Sequence, residues 1–423
     1  MESKARGEQL NSSEIPSLLA LAAALAMTPG LVAVGHAQGP SFSVLYSFAG
    51  GPEGSFPVAP VVRDSAGDIY GTTSSMAPPP GFSADTTCPS PGACGAVFKL
   101  DKTGAETTLH SFTGAPDGAE PVAGLVRDAS GDLYGTTELG GALCAIQSGC
   151  GTVFKIDSSG VESVLYSFTG GADGGTPMAA LLRDSAGNLY GTTYYGGNLN
   201  CNRGTGCGTV FKLSPTGVET VLHRFAPGTD GELPAAGLVR DAIGNFYGTT
   251  LLGGAFGNGT VFELSKAGKE RVLYSFTGGA DGSLPLSTLV RDAAGNLYGT
   301  TQLGGAYGTG TVFKVDAAGN EQVMHSFVDG TDGWFPFAGV VMDSAGSLYG
   351  TTFSGGGTGC EGGCGTVFQL SASGEETILD RFTGRSDGGY PRASLILDTA
   401  GNLYGTAEIG GASGAGAVFA LKR

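Results

Sequence analysis

The chain has 423 residues, 77 of them glycine, with only 14% charged and 41% hydrophobic residues and a formal charge of −16. Glycine is well over twice its usual share of about 7% but has no period of three, which excludes collagen, and so apolar a composition excludes a disordered chain. The acidity and the lack of any Lys/Arg cluster argue against nucleic acid or an anionic lipid surface as partner, because a phosphate backbone is held by a basic patch.

At the N-terminus, Lys4 and Arg6 precede an apolar stretch from Leu18 to Val34 that is broken by Thr28-Pro29-Gly30. Gly35 and Ala37 stand at −3 and −1 of a cut after Ala37. This predicts a signal peptide over 1–37 and a mature chain over 38–423 that is secreted or held in the cell envelope. An uncleaved anchor helix is the alternative, and Pro29-Gly30 would interrupt it. No later segment approaches the ~20 apolar residues of a spanning helix, so no membrane span is expected in the mature chain.

The rest is repetition. Tyr-Gly-Thr recurs at Tyr70, Tyr134, Tyr190, Tyr247, Tyr298, Tyr349 and Tyr404, at intervals of 51 to 64 residues. Each copy is followed by a Gly-Thr/Ala-Val-Phe run ending at Phe98, Phe154, Phe211, Phe262, Phe313, Phe368 or Phe419. In the fifth copy an apolar run Ser287-Thr288-Leu289-Val290-Arg291 leads through Asp292-Ala293-Ala294-Gly295-Asn296 into Leu297-Tyr298-Gly299-Thr300-Thr301. That reads as a tight hairpin with Gly295 at positive φ and Asp292 capping the turn. Gly310 to Val315 and Gln322 to Phe327 form a second hairpin around Asp316-Ala317-Ala318-Gly319. No segment carries a helical period.

Four short strands cannot bury both faces alone, so neighbouring copies must cover them. An all-β fold follows: a seven-bladed β-propeller with four antiparallel strands per blade and a single domain. The chain opens with a lone fourth-type strand, Ser43-Val44-Leu45-Tyr46-Ser47-Phe48, and the last copy has only its first three. The last blade is therefore expected to be closed by the N-terminal strand.

The combination Asn-Leu-Tyr-Gly-Thr-Thr, Gly-Thr-Val-Phe-Lys and Leu-Tyr-Ser-Phe-Thr-Gly-Gly-Ala-Asp-Gly resembles the GloVer (Gloeo/Verruco) tandem repeats of bacterial exported proteins, over about residues 42–421. The resemblance implies export and names no activity. The Asp-x-x-Gly-Asn-Leu-Tyr turn is also similar to NHL and lactonase-like propellers, which implies that Leu-Val-Arg-Asp is the innermost strand.

Eight cysteines form four close pairs, Cys88/Cys94, Cys144/Cys150, Cys201/Cys207 and Cys360/Cys364, each just before a Gly-Thr/Ala-Val-Phe strand. They fall only in the copies whose preceding loop is long. Local disulfides are expected, each stabilising by roughly 2 kcal/mol, and they suit an oxidising compartment. A zinc site would need four converging ligands, and these pairs lie on separate blades with no nearby histidine.

His110, His223 and His325 share one repeat position, occupied elsewhere by Tyr46, Tyr166, Tyr274 and Asp380. They are expected on the outermost strand, far from any central chemistry. The turn aspartates Asp64, Asp128, Asp184, Asp241, Asp292, Asp343 and Asp398 read as caps, since a calcium loop needs several oxygen ligands close together. A second series, Glu53, Asp117, Asp173, Asp230, Asp281, Asp332 and Asp387, precedes the innermost strand. It reads as a further set of caps or as a ring of carboxylates near the channel mouth. No cofactor is expected, with room left for a structural Ca2+.

The long loops and the blade-to-blade loops share one face, which gathers Trp334-Phe335, Tyr194-Tyr195, Phe256, Tyr307, Phe353 and Tyr390. Exposed aromatics on variable loops suit stacking on sugar rings or anchoring a partner; they equally suit small satellite cores. The candidate binding set is Trp334, Phe335, Asp332, Tyr194, Tyr195, Tyr307 and Tyr390. The expected function is an exported, non-catalytic, monomeric binding or scaffold module for an extracellular glycan or protein. The alternative is a lyase or lactonase using channel-mouth carboxylates with a divalent metal. No phosphate-loop or His-Glu-x-x-His motif is present.

Overall fold

A computed structural model describes residues 40–74, 94–142, 144, 149–328, 330–357 and 359–423. Residues 1–37, expected from the sequence to be a signal peptide, and Cys88 lie outside them. Residues 40–423 form one unit of seven separate four-stranded antiparallel sheets arranged as a ring. No helix among the described residues is long and apolar enough to cross a membrane.

Blade five shows how the repeat folds. Its strands are Val290–Arg291, Leu297–Thr301, Thr311–Val315 and Glu321–Ser326. Asp292 accepts the Asn296 amide at 2.8 Å and Gly295 takes φ 91°, so the first turn closes as its residues dictate. Tyr298 donates from its hydroxyl to the same Asp292 at 3.1 Å, tying strand to turn. The innermost strand is shorter than the apolar run suggests. Ser287 and Thr288 leave the ladder and line the axial channel instead.

The glycine of Tyr-Gly-Thr has an ordinary backbone conformation, so it is present for space. Gly405 pairs across the ladder with Phe419. A Cβ on Gly405 would lie 2.5 Å from Phe419 Cζ and 2.8 Å from Leu395 Cδ2. Gly405→Ala is accordingly expected to destabilise by about 2 kcal/mol through overpacking, read as a lowered urea midpoint at unchanged slope.

Two contacts join every blade to the next. The phenylalanine after one outer strand meets, edge to face, the third-strand phenylalanine of the following blade: Phe112–Phe154 at 5.0 Å and Phe382–Phe419 at 5.2 Å are examples. The first threonine after Tyr-Gly donates to a carbonyl in the next blade, as from Thr192 to Ala236 at 3.0 Å. Both series close the circle, with Phe48–Phe98 at 5.0 Å and Thr406 to the Ala59 carbonyl at 3.1 Å. The N-terminal strand Ser41–Ser47 pairs with Ala417–Lys422, making Ser41 a partner of Lys422 and completing blade seven.

Candidate functional site

The face carrying the variable loops is built on one strained backbone position. The residue before proline in each blade-to-blade loop is Phe56, Glu120, Thr176, Leu233, Leu284, Phe335 or Tyr390, and all seven have φ between 53° and 60°. Such a conformation in a residue with a side chain costs of order 1–3 kcal/mol and persists only where its surroundings over-determine it. Two backbone hydrogen bonds do so here. The Phe335 amide donates to the Thr309 carbonyl at 3.1 Å, and the Phe335 carbonyl accepts the Phe353 amide at 3.1 Å. Tyr390 is held the same way by the Cys364 carbonyl and the Glu408 amide.

This frame assembles a run of aromatic rings across blades six and seven. Trp334 stacks on Phe335 at 4.4 Å, and Phe335 lies 6.3 Å from Phe337. Phe337 meets Phe353 edge-on at 5.1 Å, and Phe353 stacks on Tyr390 at 4.7 Å. All five rings are half-buried. The exposed Arg392 lies 5.3 Å from the Phe337 ring and 5.0 Å from that of Phe353, while its Nε pairs with Glu408 Oε2 at 2.9 Å. Burial pushes the Glu408 carboxyl upward, and Arg392 opposes the rise. The Trp334 indole N–H is buried without a hydrogen-bond partner among the described residues.

Phe337 and Arg392 also line the axial channel, a cavity of about 130 Å³ walled elsewhere mainly by small and apolar residues such as Val58, Ala123 and Ala236. The stapled loop of blade six supports Trp334. The Cys360–Cys364 disulfide spans 5.1 Å between Cα atoms and encloses Gly362, where a Cβ would stand 3.3 Å from the Trp334 ring.

Tyr194 and Tyr195 form a second patch on blade three, with ring centroids 4.7 Å apart. Burial, then Tyr195 and the Glu138 charge, push the Tyr194 hydroxyl up to about 12. Burial raises Glu138 itself. Tyr307 is 62% exposed on a short loop of blade five and joins neither patch.

Of the two readings of its series, loop caps or a ring at the channel mouth, Asp332 takes the first. It accepts the Val328 amide at 2.7 Å and pairs with His325 Nε2 at 3.0 Å, beside the outermost strand. Asp117 does the same with Thr113 and His110, and Asp173 with Thr169 and Tyr166. The series caps loops at the outer rim: each carboxylate accepts an amide of its own loop, and all but Asp387 also bond a fourth-strand Tyr or His. His110–Asp117–Glu162 and His325–Asp332–Glu376 each bring three ligand atoms within 4.8 Å. Tyr166 and Tyr274 make the same contact to Asp173 and Asp281, so a tyrosine hydroxyl serves at this position as well as an imidazole.

Glu138, Glu408 and Arg392 were not singled out from the sequence. For the two glutamates the signal was one variable column. The residue after Thr-Thr/Ala is Ser74, Glu138, Tyr194, Leu251, Gln302, Phe353 or Glu408, six residue types in seven copies between near-identical neighbours.

Three cysteine pairs are disulfides as expected, with Cα separations of 6.0, 5.3 and 5.1 Å for Cys144–Cys150, Cys201–Cys207 and Cys360–Cys364. Cys94 is also disulfide-bonded.

The Gloeobacter/Verrucomicrobia repeat model matches residues 29–204, 86–302 and 244–423. The chain belongs to this family. No curated protein matches this family member's sequence. Among solved structures, the extracellular domain of a proposed one-component system from B. thetaiotaomicron is similar at TM-score 0.55 and 10% identity, covering 90% of this chain and 40% of that one. A gluconolactonase from Xanthomonas campestris is similar at TM-score 0.43 and 15% identity, covering 86% of this chain and 99% of that one. At such identities the likeness concerns the fold alone. In this Gloeobacter/Verrucomicrobia repeat protein, Trp334, Phe335, Phe353 and Tyr390 lie in one run on the variable face.

Proposed function

We propose that this chain is an exported binding module that holds an extracellular glycan on its variable face. The observation that carries the reading is the aromatic run from Trp334 to Tyr390, bordered at the channel rim by the exposed Arg392 and its half-buried partner Glu408. Aromatic faces stack on the apolar faces of sugar rings, and a few fixed polar groups orient the hydroxyls. The disulfides suit the oxidising compartment that export implies.

The test is a glycan array followed by titration of the best ligand. Trp334→Ala is expected to weaken binding by about 30-fold, the scale of a central aromatic anchor. Because Trp334 is half-buried, Arg392→Ala serves as the second variant, expected to weaken binding at an unchanged melting temperature. Absence of any glycan ligand, together with metal-dependent turnover of a lactone, would overturn the reading in favour of a propeller enzyme.

A further inference from the structure

On the opposite face, the one bearing the tight turns, the tyrosine of Tyr-Gly-Thr is a seat for a guanidinium. Arg63, Arg127, Arg183, Arg240 and Arg291 each come from the first strand of one blade and lie over the tyrosine of the blade before. Their distances to the ring centroids of Tyr404, Tyr70, Tyr134, Tyr190 and Tyr247 are 5.2, 5.4, 5.3, 5.5 and 5.5 Å. Several also approach the turn aspartate that accepts the tyrosine hydroxyl, as in Arg183–Asp128 at 3.2 Å and Arg127–Asp64 at 3.6 Å. Ring and carboxylate together make a cation site of fixed geometry.

The repeat breaks at two places, where Met342 and Leu397 stand in the arginine position. Opposite Leu397 the seat is filled from elsewhere. Arg423, beyond the third strand of blade seven, sets its guanidinium 4.5 Å from the Tyr349 centroid and donates from Nη1 to the Tyr349 hydroxyl at 2.5 Å. The seat thus accepts an arginine that does not come from the repeat position. Opposite Met342, no arginine among the described residues takes the place. Tyr298 keeps Asp292 at 3.1 Å and Lys314 at 5.9 Å, the lysine that Tyr70 and Tyr134 also carry. A cavity of about 730 Å³ opens there between blades five and six, lined by Asp292, Tyr298, Met324, Met342 and Asp343 among others.

We propose that this cavity binds a guanidinium group on a flexible stem, seated over Tyr298 and against Asp292. Five blades show the bound geometry within the molecule, and Arg423 shows that the occupant need not be supplied by the neighbouring strand. Hydrogen bonds from Asn296 and Tyr298 hold the Asp292 carboxyl below the usual range against the upward effect of burial, so it is anionic where the cation arrives. A planar, weakly hydrated guanidinium stacks on an aromatic face in a way an ammonium does not. Met324 and Met342 pack beside Tyr298 and adapt to the stem. The chain's charge of −16 draws a basic ligand toward it.

The experiment titrates the intact chain with N-acetyl-argininamide, its neutral citrulline counterpart, and a blocked Gly-Arg-Gly peptide. The arginine probe is expected to bind at least about tenfold more tightly than the citrulline probe, as a charged group over a ring and carboxylate should. Tighter binding of the peptide assigns the site to an arginine of a polypeptide, and equal binding assigns it to a small guanidinium compound. Met342→Arg restores the repeat and is expected to keep or raise the melting temperature while abolishing binding. Asp292→Asn keeps the turn cap and is expected to weaken binding about fivefold by removing the charge. Equal affinity for the arginine and citrulline probes, or arginine binding unchanged in both variants, would overturn the proposal.

Discussion

A chain lacking residues 41–48 is expected to give no folded ring at all, seen as a chain without a cooperative melting transition. The strand Ser41–Ser47 forms the outer edge of blade seven, paired from Ser41↔Lys422 to Ser47↔Ala417. Phe42 packs between Phe382 and Phe419, at 5.7 and 5.4 Å. Phe48 is fully buried and makes the contact to Phe98 that joins blade seven to blade one. Losing a buried phenylalanine costs roughly 3–5 kcal/mol, and Phe48 with the half-buried Phe42 and a strand's hydrogen bonds approaches the 5–15 kcal/mol that holds a whole domain together. The ring adds a cooperative loss, because the open blade also uncovers its neighbour. A synthetic peptide of residues 40–49 should restore the transition. A deleted chain that melts like the full one would show that closure contributes little.

Thermal stability is expected to be highest near pH 5 and to fall by at least about 5 °C in Tm by pH 9. The cause is a carboxyl pair at each of several blade junctions. Glu219, Glu270, Glu321 and Glu376 each begin an outer strand and face the loop aspartate of the preceding blade: Asp173, Asp230, Asp281 and Asp332. In each of these glutamates Oε1 is buried without a hydrogen-bond partner. Burial, and then the neighbouring aspartate, push Glu219 and Glu321 up to about 7 and Glu270 up to about 8. Burial likewise lifts Glu376 to about 7, with His325 opposing it and Asp332 adding to it. These folded-state values lie above the unfolded 4.5. Their stabilising contribution is therefore complete below about pH 4.5 and is lost as pH rises through 7 to 8.

The turn aspartates act in the other direction. Asp184 and Asp398 are lowered, because hydrogen bonds from Asn188 and Asn402 outweigh burial. Their contribution is present above about pH 4 and is lost on acidification. Glu270→Gln should flatten the alkaline limb while leaving pH 5 nearly unchanged. A Tm constant from pH 5 to 9 in the wild type would refute the account.

Much of the ring was legible because its signals are local. Asp292 and Gly295 specify a turn within five residues, and Cys360 and Cys364 are too close to pair readily with anything else. The lone fourth-type strand before the first copy announced the closure that Ser41↔Lys422 makes. The site was only partly legible. Trp334, Phe335 and Tyr390 were singled out as aromatics on variable loops, and they do join one run. The sequence left the Asp332 series between loop caps and a channel-mouth ring, because it shows that Asp332 precedes an inner strand without showing that its carboxylate turns back to His325. The residue before proline ordinarily favours extended backbone. At Phe335 it is left-handed because two carbonyl–amide contacts from separate segments hold it.

The sequence by itself determined the strand, the turn, the staple, the number of blades and the way the ring closes. The strand, the turn and the staple depend on residues a few positions apart, and counting their repeats gives the number of blades and the strand left over to close the ring. Only the tertiary structure decided which singular residues meet. Arg392 reaches Phe353 across two blades, and Arg423 finds Tyr349 where a repeat arginine is missing. Those partners are 39 and 74 residues apart in the chain. Their meeting is set by the curvature of the ring and the packing of blade on blade, which no local pattern encodes.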